Sequence, residues 1–105
     1  MKSERMHHKI IIQSKIITQD EELNPIEAWV DFATPWVEAL SQNSREYYRL
    51  ATINSEIEKA FKIRYMDGIT PHMRAIFKSK TFEIIGIENV EERNKEILLS
   101  AKAVV

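Results

Sequence analysis

Apolar and polar positions alternate along most of the chain, and the period changes just after Ser44 and returns at Glu56. From His7 the run HHKIIIQSKIITQ is β-branched and predicts a first strand. It ends in Asp20-Glu21-Glu22-Leu23-Asn24-Pro25, a composition suited to a hairpin loop. In the second strand Ile26, Ala28, Val30 and Phe32 alternate with Glu27, Trp29 and Asp31. This period of two makes the even positions the expected core face, with Trp29 an apolar intruder on the polar one. Pro35 cannot donate to a ladder, so the ribbon must run at an edge or bulge there. Trp36-Val37-Glu38-Ala39-Leu40 resumes it, and a bulge at Thr34-Pro35 would turn the strand from one sheet towards another.

Ser44 suits an N-cap, because its hydroxyl can accept from an amide two or three residues on. Tyr47, Leu50 and Ala51 then share a helical face, with Glu46 and Arg49 outside it. A helix of about two turns is marginal alone and needs the barrel to pack on. From Glu56 the period returns to two. Ile57, Phe61, Ile63 and Tyr65 oppose Glu56, Glu58, Lys62 and Arg64. Asp67-Gly68 signals a turn and Thr70-Pro71-His72 a second break. Met73–Phe77 and Thr81–Ile87 predict a hairpin about Lys78-Ser79-Lys80, with a bulge or close approach at Gly86. After the charged loop Glu88–Glu96, Ile97–Val105 closes the sheet. The expectation is a mainly β fold: a small antiparallel β-barrel or sandwich of about six strands with one short helix. Long helices do not alternate with the strands, which argues against βαβ units. Met1–Met6 is expected to fray, and residues 7–105 form one domain.

Composition narrows the chemistry. At 105 residues with 44% apolar side chains, the chain can bury one core unaided. Without cysteine it has no disulfide, thiolate nucleophile or cysteine-ligated metal. The net charge of −1 does not suit a polyanion binder, and no apolar run approaches the roughly 20 residues of a membrane helix. The start, MKSERMHHKIII, is no signal peptide, and no membrane partner is expected. His7 and His8 point to opposite strand faces, so with distant His72 they read as exposed strand-entry residues rather than a metal site. Glu88, Glu91, Glu92 and Glu96 read as a solvated loop rather than a catalytic carboxylate pair. No nucleophile, phosphate-loop or zinc motif occurs, so no catalytic residue, metal or cofactor is expected, and the chain is not read as an enzyme. Arg74, Lys78 and Lys80 form a positive patch, as do Lys2, Arg5, Lys9 and Lys15 against Glu4. With Trp29, Tyr47 and Tyr48 as candidate stacking platforms, a nucleic-acid-binding barrel is the alternative reading. A protein partner suits an edge near Pro35 and exposed aromatic residues better. For Trp29 and Trp36 the competing reading is core packing.

Several stretches, in order, resemble the phage head–tail joining family, also known as head–tail adaptor, head-closure or stopper proteins. Residues 7–13, HHKIIIQ, resemble the opening strand, and Thr18-Gln19-Asp20 precedes a short acidic loop. Residues 25–36, PIEAWVDFATPW, resemble the family's W-x-D-x-A-T-x-W core. Ser44-Arg45-Glu46-Tyr47-Tyr48 resembles its G-R-E-Y/F helix start, although Asn43-Ser44 stands where Ser-Gly is frequent. Ile63-Arg64-Tyr65 and residues 68–74, GITPHMR, resemble its I-R-Y…T-x-x-M-R turn. Phe82-Glu83-Ile84 and residues 89–94 resemble the closing hairpin. The resemblance spans about residues 7–101. It implies a structural subunit without cofactor, a monomer in isolation and a homo-oligomeric ring in the virion. That ring would sit beneath the portal or adaptor, close the filled head and offer a docking surface to tail-terminator or tail proteins. DNA would only pass through its channel. Assembly would take place in the host cytoplasm. The helix-bearing stretch Ser41–Ser55 would be the part that reaches a neighbour or the channel. The expected interface or channel residues are Ser44, Arg45, Glu46, Tyr47, Tyr48 and Arg49, with Trp29. For Tyr47, packing onto its own barrel is the competing reading.

Overall fold

A computed structural model describes residues 8–104. The expected frayed start, His7 and Val105 lie outside the described residues. The elements in chain order are β1 (His8–Lys9), β2 (Ile11–Gln19), β3 (Pro25–Ala33), β4 (Trp36–Ala39), α1 (Arg45–Ile53), β5 (Lys59–Arg64), β6 (Arg74–Phe77), β7 (Lys80–Asn89) and β8 (Glu96–Ala103), with a 3-10 turn at Val90–Glu92. Every pairing is antiparallel, in the spatial order β1-β4-β5-β8-β7-β6-β2-β3.

The expected six strands are eight, because two ribbons are each broken in two. Ile10 separates β1 from β2, and Thr34-Pro35 separates β3 from β4. The Ile10 amide donates to the Pro35 carbonyl at 3.2 Å, tying the two breaks together. β1 pairs with β4 while β2 pairs with β6 and β3, so one stretch of chain touches both flanks of the sheet and curls it into a half-barrel. Pro35 acts as predicted: it ends one pairing and lets the ribbon restart against another.

Inside the curl lie Ile10, Ile12, Val37, Phe61, Ile63, Ile84 and Leu99, all fully buried. Phe61 stands edge-on to Phe77 and Phe82, with ring centroids 5.1 and 6.3 Å away. This geometry suits the positive edge and negative face of aromatic rings. A second cluster lies on the outer face, where Tyr47 and Leu50 of α1 cover Leu40, Ile57, Ala60 and Leu98. β5 and β8 are therefore covered on both sides, and Ile97-Leu98-Leu99-Ser100-Ala101 is a continuous buried run. Ile57 belongs to this outer cluster, not with Phe61 and Ile63 as the alternation predicts, because β5 starts only at Lys59.

The expected hairpin about Lys78-Ser79 is present, with both residues at positive φ, 50° and 66°. Turns of this handedness match the twist of the flanking strands. The register of β7 against β8 slips between Ile84 and Gly86, the bulge predicted at that glycine.

The largest departure concerns β3. Ile26, Val30 and Phe32, the expected core face, are exposed, and the opposite face is not covered either. Two causes are visible. The register slips at the foot of the hairpin, where Ile12 pairs with Ala33 but Gln13 with Asp31, leaving Phe32 as an extra residue. Above Gln13, moreover, β2 has no partner but β3, because β6 begins at Arg74 opposite Gln13. The β2–β3 hairpin projects from the barrel, and the molecule measures 51 × 32 × 27 Å. Its foot is buttressed by the Phe32 ring, which lies over Gly68 at φ +95°.

Candidate functional site

The helix begins as expected. Ser44 has extended backbone and its Oγ accepts from the Tyr47 amide at 3.1 Å. Tyr47 is 8% exposed, and its hydroxyl donates to the Ile57 carbonyl at 3.2 Å. Two ion pairs clamp the helix flanks to the sheet. The Lys62 ammonium meets Glu46 at 2.8 Å, and the Arg49 guanidinium meets Glu88 at 2.6 Å. Burial pushes the Lys62 pKa down, but the hydrogen bond and charge of Glu46, helped by Glu38 and Glu96, outweigh it and hold the pKa above its usual value. Arg49 is likewise raised, first by its hydrogen bond to Glu88.

These contacts sort the sequence-predicted residues. Ser44, Glu46, Tyr47 and Arg49 are engaged within the fold, and Tyr47 is a core side chain. Arg45 and Tyr48 face outward, Tyr48 at 70% exposure. Ile53 at the helix end is also exposed, a feature the helical periodicity did not single out. It borders a shallow cavity of about 370 Å³ between the helix end and β7, floored by Leu50, Ile85 and Ile87.

Trp29 is not brought to the helix. It lies half-buried on the other flank, with the Arg74 guanidinium 4.2 Å and the Lys15 ammonium 5.9 Å from its ring centroid. Cations are drawn to the negative face of an indole. Lys15 also pairs with Glu27 at 2.9 Å, and His72 Nδ1 lies 3.0 Å from Glu83 beside a second cavity, lined by Lys15, Trp29 and Arg74. Trp36, for which core packing was one reading, is 39% exposed under the Lys9 ammonium at 4.8 Å. Pro35 and the β1–β4 pairing leave it on the rim.

The remaining candidates disperse. His8 packs edge-on against Phe77 at 5.4 Å, far along the chain from His72, and no group of three His, Cys, Asp or Glu able to hold a metal occurs among the described residues. Glu88 is held by Arg49 and Glu91 by Arg93 at 3.3 Å. No helix among the described residues is long and apolar enough to cross a membrane. Two features escaped the sequence reading. Lys59 joins Lys78 beside the Phe77 ring, at 5.2 and 5.3 Å. Leu23, at φ +67°, projects from the hairpin tip with 71% of its surface exposed. Lys59 is remote in sequence from Lys78, so only the β5–β8–β7 pairing brings it to the same rim.

Comparison with known proteins places this arrangement. No curated protein sequence matches the chain. The solution structure of protein SF1141 from Shigella flexneri 2a superposes with a TM-score of 0.72 over 98% of this chain and 96% of that one, at 19% identity, which is a likeness of fold. A family model described as phage head completion protein matches residues 1–104.

Proposed function

Since the chain belongs to the phage head completion protein family, and so has a structural role in the phage head, we propose that it is a subunit of the connector between head and tail. In this reading copies assemble into a ring below the portal or adaptor. The ring closes the DNA-filled head, lets DNA pass through its channel and offers the surface on which tail proteins dock. The isolated chain is monomeric, and it joins the particle in the host cytoplasm. The observation that carries the reading is the family match along nearly the whole chain.

Two features of the fold support it. A ring needs two different surfaces per subunit, one for each neighbour. The projecting β2–β3 hairpin is one such surface and the barrel end away from it another, and the helix flank with Arg45, Tyr48 and Ile53 is left exposed for a neighbouring connector or tail protein. Arg45 and Tyr48, not Tyr47, are the helix side chains proposed to touch a neighbour. The helix is clamped to the barrel, so it contributes a fixed face.

Direct nucleic-acid binding is the weaker reading. Its best platform, Trp29, already carries its own Arg74 and Lys15 cations. Base stacking would have to displace them. Electron microscopy of particles from the parent phage with this gene deleted tests the proposal. Filled or leaking heads separated from complete free tails are the expected result. Normal tailed virions refute it, and salt-sensitive DNA binding by the purified chain would then favour the alternative.

A further inference from the structure

The β2–β3 hairpin and the opposite end of the barrel have complementary chemistry. Across residues 11–33 Lys15 stands against Asp20, Glu21, Glu22, Glu27 and Asp31, a net charge of −4. The tip is a fixed turn. The Asp20 carboxylate accepts from the Glu22 and Asn24 amides at 2.9 and 2.8 Å, and the Leu23 amide donates to the Asp20 carbonyl at 3.0 Å. The turn holds Leu23 outward beside Glu21 and Glu22, and among the described residues these two glutamates form no ion pair. At the far end Lys59, Lys78 and Lys80 rim a recess of about 360 Å³ floored by Phe77 and Phe82. None of these three lysines forms an ion pair among the described residues. Glu58 also lines the recess, its Oε1 accepting from the Ala103 amide at 3.1 Å, so the rim carries a net charge of +2. The recess is thus an apolar floor inside a net cationic rim, and the tip is an apolar side chain next to acidic ones.

The two cannot meet within one molecule. Gln13 pairs with Arg74, and from there a rise of about 3.3 Å per residue carries Asp20 about 23 Å beyond the barrel. Phe77 lies about 10 Å the other way along β6, so tip and recess are on the order of 30 Å apart. We infer that the β2–β3 hairpin is an arm that docks on a second copy of this chain, with Leu23 entering the Phe77–Phe82 recess and Glu21 and Glu22 facing Lys59, Lys78 and Lys80. The contact is heterologous, and it propagates from copy to copy. It rests on the reading of the chain as a ring subunit and names the surfaces that meet.

The absence of native cysteine makes the test direct. Asn24→Cys at the tip and Ser79→Cys at the recess rim are purified separately, mixed at high concentration and oxidised. The expected disulfide heterodimer exceeds that of Asn24→Cys mixed with a control carrying Lys95→Cys, an exposed site outside the proposed surfaces, by about tenfold, as charge steering and docking favour one pair. Leu23→Ser, or Glu21→Lys with Glu22→Lys, added to the tip chain brings the yield down to the control. A yield at the control level from the outset overturns the proposal, as does enrichment that survives those changes. Immunogold labelling of virions separates the two readings. Protein found at the head–tail junction with no enrichment removes the arm alone, whereas absence from particles removes the ring reading too.

Discussion

Tyr47 and Tyr48 are adjacent, chemically identical and placed in opposite environments, so they separate folding from assembly. Tyr47 fills the layer between α1 and the sheet, against Leu40, Ile57, Ala60 and Leu98, and its hydroxyl satisfies the Ile57 carbonyl. Removing a buried aromatic ring costs about 3–5 kcal/mol through lost transfer energy and the cavity left behind. Tyr47→Phe removes only the hydroxyl and costs about 1 kcal/mol. Tyr48 is 70% exposed, and Tyr48→Ala is expected within about 0.5 kcal/mol of the parent. Against a total stability of about 5–15 kcal/mol, Tyr47→Ala is a severe loss. Urea unfolding followed by tryptophan fluorescence measures all three. Hydrogen exchange localises the effect, because a nine-residue helix is not stable without its docking face. Amides of residues 47–54 should exchange much faster in Tyr47→Ala while those of β7 and β8 are less affected. In phage complementation the order reverses: Tyr48→Ala should impair joining of heads and tails, whereas Tyr47→Phe should not. A cost below about 1 kcal/mol for Tyr47→Ala, or a cost above about 1 kcal/mol for Tyr48→Ala, would refute the assignment of faces.

Three further outcomes are expected. Gly68→Ala should cost about 1–2 kcal/mol for left-handed backbone alone; the new Cβ would also stand 2.7 Å from Phe32 Cζ, so combining it with Phe32→Ala should recover the steric part in a double-mutant cycle. Glu46→Gln leaves the largely covered Lys62 ammonium without its anion and should cost about 1–2 kcal/mol by urea unfolding, less than for a fully buried pair because Glu46 is half-exposed. Hydrogen bonds from the Asn24 and Glu22 amides hold the Asp20 carboxyl below its ordinary value of 3.8. The hairpin-tip turn is therefore fully supported above that pH and loses support as pH falls through the lower folded value; amide shifts of Leu23 and Asn24 should report the transition, and Asp20→Asn should abolish it.

Much of this fold was legible because its signals are local. The Ser44 cap, the Tyr47–Leu50–Ala51 face, the Pro35 break, the Gly86 bulge and the Lys78-Ser79 turn each rest on a few neighbouring residues and one physical rule. The ordered motifs carried the family as well, since the match to phage head completion proteins spans residues 1–104. Tertiary structure decided the rest. Alternation in β3 shows that two faces differ but not that either is covered, and covering needs a partner strand or layer that β2 alone does not supply. The same limit applies to Trp29, whose cations come from β2 and β6, and to the recess rim, where Lys59 meets Lys78 only through sheet pairing. Capping and turn preferences act over a few residues, whereas burial and charge juxtaposition depend on which distant segments the closing sheet places side by side.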